Sequence, residues 1–353
     1  MNDETKTLNP EHKRRVRYSG KYPKRYEEKY KELNPEKYQG IVEHVKSKGN
    51  TPAGTHISIC VNEILEFFDI QPGQVGIDCT LGYGGHTQKM LEKLQGSGHI
   101  YGLDVDPIES EKTRARLQAL GYGEDQLSVV LTNFRNIDQV AAEHGKVDFV
   151  LADLGVSSMQ IDNPARGFSY KLDGPLDLRM DPTKGKPAYE RLREMYKDEI
   201  EGMLVENSDE PYAKEIAATI TSFLKAGQKI ETTMQLRKVI EKALSFLPQK
   251  QQKEEVKKSC ARTFQALRID VNDEFEVLYE LLEKIPQVLK PGGKAAILTF
   301  HSGEDRLVKK SFKYYYSEGV YSEFARDVIR PSAQECAQNS RAKSTKMRWA
   351  IKS

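Results

Sequence analysis

No stretch of this 353-residue chain approaches the ~18 consecutive apolar residues that cross a bilayer, so a membrane-spanning protein is not expected. The opening residues, MNDETKTLNPEHKRR, set no apolar segment behind their charges and do not read as a secretory signal. Cysteine is scarce. Cys60, Cys79, Cys260 and Cys336 are scattered, with no CxxC pair and no histidine at ligand spacing. That argues against a zinc motif or a disulfide framework and points to the reducing cytoplasm. Hydrophobic residues reach only 38%, below the ~45–50% usual for globular chains, while 30% are charged. A chain of this length still buries a substantial core, in one large domain or two moderate ones.

The formal net charge of +2 says little about partners; its distribution says more. Lys13, Arg14, Arg15, Arg17, Lys21, Lys24, Arg25, Lys29 and Lys31 crowd a short stretch opposed only by Glu27 and Glu28. Tyr18, Tyr22, Tyr26 and Tyr30 recur among them at a spacing of four. Cations mixed with aromatic rings suit phosphate contact and base stacking. A solvated arm whose tyrosines dock on the protein itself accounts for the pattern equally well. Residues 1–50 therefore read as a basic N-terminal arm.

A globular pattern begins near His56. ISICVNEILEFFDI (57–70) carries apolar residues at helical spacing, and VGIDCTL (75–81) is a short apolar run ending in glycines, as a buried parallel strand would. Helix HTQKMLEKL, strand HIYGLDVD (99–106), helix IESEKTRARLQAL and strand LSVVLT follow, then a helix over 137–144 and strand VDFVLADL (147–154). This alternation predicts βαβ units and a parallel sheet wrapped by helices. A polar loop over about 160–182 and a Lys/Glu-rich helical block then interrupt the rhythm. It resumes with one long amphipathic helix, FQALRIDVNDEFEVLYELLEKIPQVL, the turn Lys290-Pro291-Gly292-Gly293 and strand KAAILTFH (294–301). The expected organisation is an α/β core over 51–182 and 259–353, with an inserted helical lobe over 183–258.

In an open parallel sheet, ligands bind beyond the carboxyl ends of the strands where the strand order reverses. The first strand runs into Thr80-Leu81-Gly82-Tyr83-Gly84-Gly85-His86, and the second ends at Asp104, placed to accept hydrogen bonds from ribose hydroxyls. Dinucleotides and S-adenosylmethionine share this arrangement. A G-x-G-x-x-G turn starting at Gly82 needs a glycine at 87, where Thr87 stands. The loop thus favours a methyl donor over a nicotinamide cofactor, with a ligand-free glycine turn left open.

Longer blocks are more specific. DCTLGYGGH (78–86), DFVLADLGVSSMQIDNPARGFSYKLDGPLDLRMD (148–181), TFQALRIDVNDE (263–274) and TFHSGEDRLVKK (299–310) occur in that order, before the ending SRAKSTKMRWAIK. Together they resemble the bacterial 16S rRNA cytosine-N4 methyltransferase family, from about His56 to the C-terminus. The resemblance implies a class I (Rossmann-like) α/β methyltransferase core with an inserted all-helical substrate lobe. It implies S-adenosylmethionine as cofactor, no metal, and 16S rRNA of the small ribosomal subunit as partner. The implied reaction methylates the N4 amine of a cytidine in the decoding region. Tyr83, Gly303 and the extra arm depart from the family pattern and suggest a diverged second copy. The alternatives are the same chemistry on another rRNA nucleotide, or a non-catalytic ribosome-assembly factor.

By position, the implied donor-binding residues are Gly84, Gly85, His86, Asp104, Phe134, Asp153 and Gln160. Phe134 suits an adenine face, and its alternative is an ordinary core ring. For His86 the alternative is a helix cap or a solvated side chain. Asp78 is expected to order the first loop. Asp153 is the candidate catalytic residue, drawing electron density onto the amine by accepting its hydrogen bond; contact with the donor alone is the competing role. His301, Ser302 and Asp305 are expected near the target base. Arg166, Arg179 and Arg268 are expected to contact phosphates or the base, with an acidic partner the alternative for Arg268.

Overall fold

The computed structural model describes residues 58–353, which lie within the compact unit His56–Ser353. The arm expected over 1–50 lies outside the described residues. Helix α1 (Val61–Phe68) buries Ile64 and Phe68 at helical spacing. Strands β1 (Val75–Asp78), β2 (His99–Asp104), β3 (Leu127–Leu131) and β4 (Val147–Asp153) alternate with α2 (Gly85–Leu94), α3 (Pro107–Ala119) and α4 (Ile137–His144). The short helix α5 (Ser158–Asp162) follows β4. Five helices then run in succession: α6 (Ala188–Glu194), α7 (Lys197–Ser208), α8 (Ala213–Lys225), α9 (Thr233–Ala243) and α10 (Gln249–Asn272). The chain returns through α11 (Glu274–Val288), β5 (Leu289–Thr299), α12 (Ser302–Ser317), β6 (Tyr321–Phe324), α13 (Ala333–Gln338) and β7 (Lys346–Lys352).

The seven strands stand in the order β3-β2-β1-β4-β5-β7-β6. β7 runs antiparallel to both of its neighbours, while the β1–β2, β1–β4, β2–β3 and β4–β5 pairs are parallel. A dinucleotide sheet of order 3-2-1-4-5-6 has no such reversed strand wedged beside β5. One face of the sheet packs Ile77, Leu103 and Val150 against Leu281 and Ile285 of α11 and Phe312 of α12. The other packs Leu151 and Phe149 beneath Phe68, Met90 and Leu94. Gly76 in β1 makes room for Phe149, because a Cβ there would lie 1.9 Å from its Cε2 atom. The helical block has a separate core of residues such as Leu192, Ile216, Leu236 and Phe264.

Three features differ from the sequence reading. The long helix expected over 264–289 is two helices, because Asp273 takes φ 50° and ends α10. Aspartate tolerates that left-handed geometry better than most side chains. The boundary expected at 258/259 falls inside α10, which crosses it unbroken. In addition, β5 begins at Leu289, and Lys290–Gly293 bulge out between the pairs Val147–Leu289 and Phe149–Lys294. Among the described residues, no helix is long and apolar enough to cross a membrane.

Candidate active site

The turn between β1 and α2 is held by side chains that its own glycines leave room for. Gly84 takes φ 75°, and a Cβ there would press to 2.8 Å from Thr113 Cγ2. Asp78 Oδ1 accepts from the Thr80 amide (3.1 Å) and Oδ2 from the Thr87 hydroxyl (2.6 Å). Asp78 thus orders the loop, as expected. Thr87 is fully buried with its hydroxyl committed, at the position where a dinucleotide turn needs glycine for close helix packing. Thr80 Oγ1 in turn accepts from the Asp153 amide at 2.7 Å, tying the β1 and β4 ends together.

Gly84, Gly85, His86, Asp104, Phe134, Asp153 and Gln160 all line one cavity of about 480 Å³ at the carboxyl ends of the strands. That volume lies in the range of small-molecule sites. Asp104 accepts the Gly82 amide on Oδ2 and the Asp106 amide on Oδ1, both at 2.8 Å, which leaves a further lone pair on each oxygen. Burial pushes its carboxyl up to about 6, against those two hydrogen bonds. Phe134 opens a short 3-10 turn after β3, packing partly on the sheet core and partly on the cavity. Gln160 is turned by its neighbours. Its Oε1 accepts the Ser157 amide (2.9 Å) in a capping box, and its Nε2 donates to Asp106 Oδ2 (3.1 Å).

His86 is neither a cap nor solvated: it lies buried inside α2, and Gly84 is the N-cap. Its Nε2 is 2.9 Å from the Ile59 carbonyl and its Nδ1 is 3.6 Å from Asp153 Oδ2. A carbonyl only accepts, so Nε2 carries the hydrogen and Nδ1 faces the carboxylate. The other Asp153 oxygen, Oδ1, is buried without a hydrogen-bond partner. Burial pushes the Asp153 carboxyl up to about 6, opposed by His86 and reinforced by Asp78. The side chain as a whole is 27% exposed where it lines the cavity, so the carboxylate can be reached from outside the chain.

The residues expected around the base and phosphates divide. His301 caps α12 and lines the cavity, with Nε2 3.2 Å from Glu304 Oε1. Burial works against ionisation of Glu304, yet the His301 hydrogen bond and the Arg268 charge hold its carboxyl below the ordinary range. Arg268 also lines the cavity, but its Nε and Nη2 grip Glu274 at 2.7 and 2.9 Å, the acidic-partner alternative. Ser302 and Asp305 do not line the cavity. Asp305 is drawn away by Arg348 (2.7 Å) and Lys346 (3.1 Å). Arg166 is an internal brace: Nη1 reaches Asp106 Oδ2 at 2.6 Å and Nη2 the carbonyls of Arg179 and Met180. Arg179 is held by both oxygens of Asp177.

Sequence reasoning missed Asp106, which is fully buried and holds Arg166, Gln160 and the start of α3 together. An Asp-Pro pair opening a helix was the visible signal. It also missed Glu304 and the aromatic wall of Tyr170 and Phe264 from the loop and α10. Cys60, Glu63 and Glu335 bring a thiol and two carboxylates within 4.8 Å of one another. Glu335 Oε1 there accepts the Cys60 amide (2.9 Å), and burial with Glu63 pushes the thiol far up, away from a ligating thiolate.

The sheet order with its reversed strand and the glycine-turn cavity between β1, β2 and β4 make this a class I, Rossmann-like α/β methyltransferase fold. The chain belongs to the MraW methylase family, whose pattern matches residues 53–353. It is 66% identical over 342 residues to the ribosomal RNA small subunit methyltransferase H 1 of Agathobacter rectalis, covering 97% of this chain and 98% of that one. A protein of the same name from Lachnoclostridium phytofermentans is 62% identical over 348 residues, covering 99% and 95%. Among solved structures, an rRNA methylase from Streptococcus thermophilus is 13% identical, covers 84% of this chain and 98% of its own, and has a TM-score of 0.38.

Proposed function

We propose that the protein transfers a methyl group from S-adenosylmethionine to the exocyclic N4 amine of a cytidine in the decoding region of 16S rRNA. The observation that carries this reading is the Asp153 carboxylate, 27% exposed at the wall of the cavity beside the glycine turn and facing His86. The near end-to-end match to proteins named ribosomal RNA small subunit methyltransferase supports RNA as the acceptor. The cytosine amine and the decoding region rest on the motif resemblance.

The residues present fit the donor. Gly84 and Gly85 open the backbone, Asp104 keeps free lone pairs for a ribose, and Phe134 offers a ring for the adenine. When bound, S-adenosylmethionine supplies an electrophilic methyl group. The chain's task is to orient and activate the weak amine nucleophile, whose lone pair is delocalised into the ring. The Asp153 carboxylate accepts a hydrogen bond from the amine and takes up the proton that the methylated nitrogen releases. His86 Nδ1, facing Oδ2, shares that proton and keeps the carboxylate turned toward the acceptor. Tyr170 and Phe264 close the lobe side of the cavity against water, and the target base leaves its stack to enter. The helical block 183–258 is in this reading the substrate lobe.

The test is methylation of small-subunit particles and of free 16S rRNA with labelled donor, followed by nucleoside mass spectrometry. N4-methylated cytidine is expected, and its loss in Asp153→Asn. An unmodified RNA, or a product methylated elsewhere, overturns the assignment.

A further inference from the structure

The helix that leaves the cavity carries charge of one sign on its open face. α12 starts at the cap His301, inside the site, and buries Glu304, Val308 and Phe312. Its exposed residues are Ser302, Arg306, Lys309, Lys310, Lys313, Tyr314, Tyr316 and Ser317, with four cations and no acid among them. The helix does contain two acids, Glu304 and Asp305, but both are consumed on the inner side. Glu304 faces His301 and Arg268, and Asp305 pairs with Lys346 and Arg348. None of the four outward cations forms an ion pair among the described residues. Nothing on the helix therefore offsets their field. The neighbouring α11 exposes Glu276 and Glu283, and Glu318, the C-cap of α12, is exposed just beyond Ser317.

We propose that the open face of α12 is the track for the single-stranded RNA flanking the target nucleotide. The proposal rests on the RNA-methylating reading above and names the surface it uses. Arg306 to Lys313 span about 10 Å along the helix axis, at 1.5 Å per residue, so they suit a short run of successive phosphates. Tyr314 and Tyr316 are 59% and 40% exposed beside Lys313. Exposed tyrosines among cations are the combination that holds unpaired strands, with rings for bases and charges for backbone. A strand unstacked to deliver one base into the cavity presents both.

The experiment measures binding of a single-stranded rRNA fragment to the full-length protein as salt is varied. The variants are Arg306→Gln/Lys309→Gln/Lys310→Gln/Lys313→Gln and Tyr314→Ala/Tyr316→Ala. Each phosphate contact on a single strand contributes about 0.7 to the slope of log affinity against log salt. The fourfold variant should lose about 2–3 of that slope and about 10–100-fold in affinity near physiological salt. The tyrosine pair should lose about 10-fold or more for the single strand with its slope kept, and nothing for duplex RNA. Affinity for S-adenosylhomocysteine within about two-fold of the parent reports an intact fold. Should the fourfold variant not fold, Lys310→Gln/Lys313→Gln is expected to lose about half the slope change. Parental RNA affinity and slope in the cation variants overturn the proposal. So does unchanged RNA binding with loss of binding to anionic lipid vesicles, which would give the face to a membrane surface. If the parent methylates no RNA, the functional reading fails, and these binding curves still decide the surface.

Discussion

Asp153→Asn should make the protein more stable and inactive at the same time. Burial holds the Asp153 carboxyl at about 6 in the folded chain, against 3.8 for an ordinary aspartate, with His86 pulling the other way. A carboxyl whose folded value lies above its unfolded value weakens the fold wherever it is ionised. The cost is complete above about pH 6 and disappears below about pH 4, where both states keep the proton. At 1.36 kcal/mol per pH unit, it amounts to about 3 kcal/mol at neutral pH. The side chain is 27% exposed to the cavity, and water there trims the charge's penalty, so about 1–3 kcal/mol is the expected gain for the neutral amide at pH 8. In calorimetric melts of ligand-free protein this is a rise in Tm of about 2–6 °C. The gain should shrink steadily between about pH 6 and 4. Turnover should fall about 100-fold or more, because the amide accepts no proton. A Tm difference independent of pH, or an Asn variant that still turns over, refutes the idea of a strained carboxylate kept for chemistry.

Three further outcomes test the framework. Asp104→Ala should weaken S-adenosylhomocysteine binding by about 10–100-fold in titration calorimetry, the loss of two hydrogen bonds from a charged acceptor; unchanged affinity would move the ribose elsewhere. Arg166→Ala strands the fully buried Asp106 carboxylate and should cost about 3–5 kcal/mol in urea unfolding, with faster proteolysis over residues 164–180. Arg166→Lys should rescue little, since one ammonium cannot reach the carboxylate and two carbonyls together. Gly76→Ala drives a methyl into the Phe149 ring and should lower the urea midpoint by the equivalent of at least about 2 kcal/mol. An unchanged midpoint would mean that β1 and Phe149 do not pack as described.

Much of the fold was legible because it rests on local pattern. Short apolar runs marked the first four strands, β1 to β4, and helical spacing marked the elements between them; α4 and the residues that open these four strands fall where the periodicity put them. The glycine turn and the aspartates closing β2 and β4 were readable for the same reason, since strand ends and tight turns are short-range features. The break at Asp273 escaped because apolar spacing continues through it, and only the left-handed backbone of one residue separates α10 from α11.

Partnership between distant side chains was decided by tertiary structure alone. His86 and Asp153 stand 67 positions apart in the chain and 3.6 Å apart in space. Arg166 reads from its neighbours as a free cation, yet β2 and α3 carry Asp106 beneath it and convert it into a brace. Asp305 lies four residues from a cavity-lining histidine, and β7, arriving antiparallel beside β5, takes it for Arg348 and Lys346. The amino-acid order set which groups could ionise, stack or accept. Their burial and mutual distance came from strands paired across long stretches of chain, and in a low-dielectric interior those distances govern the energies.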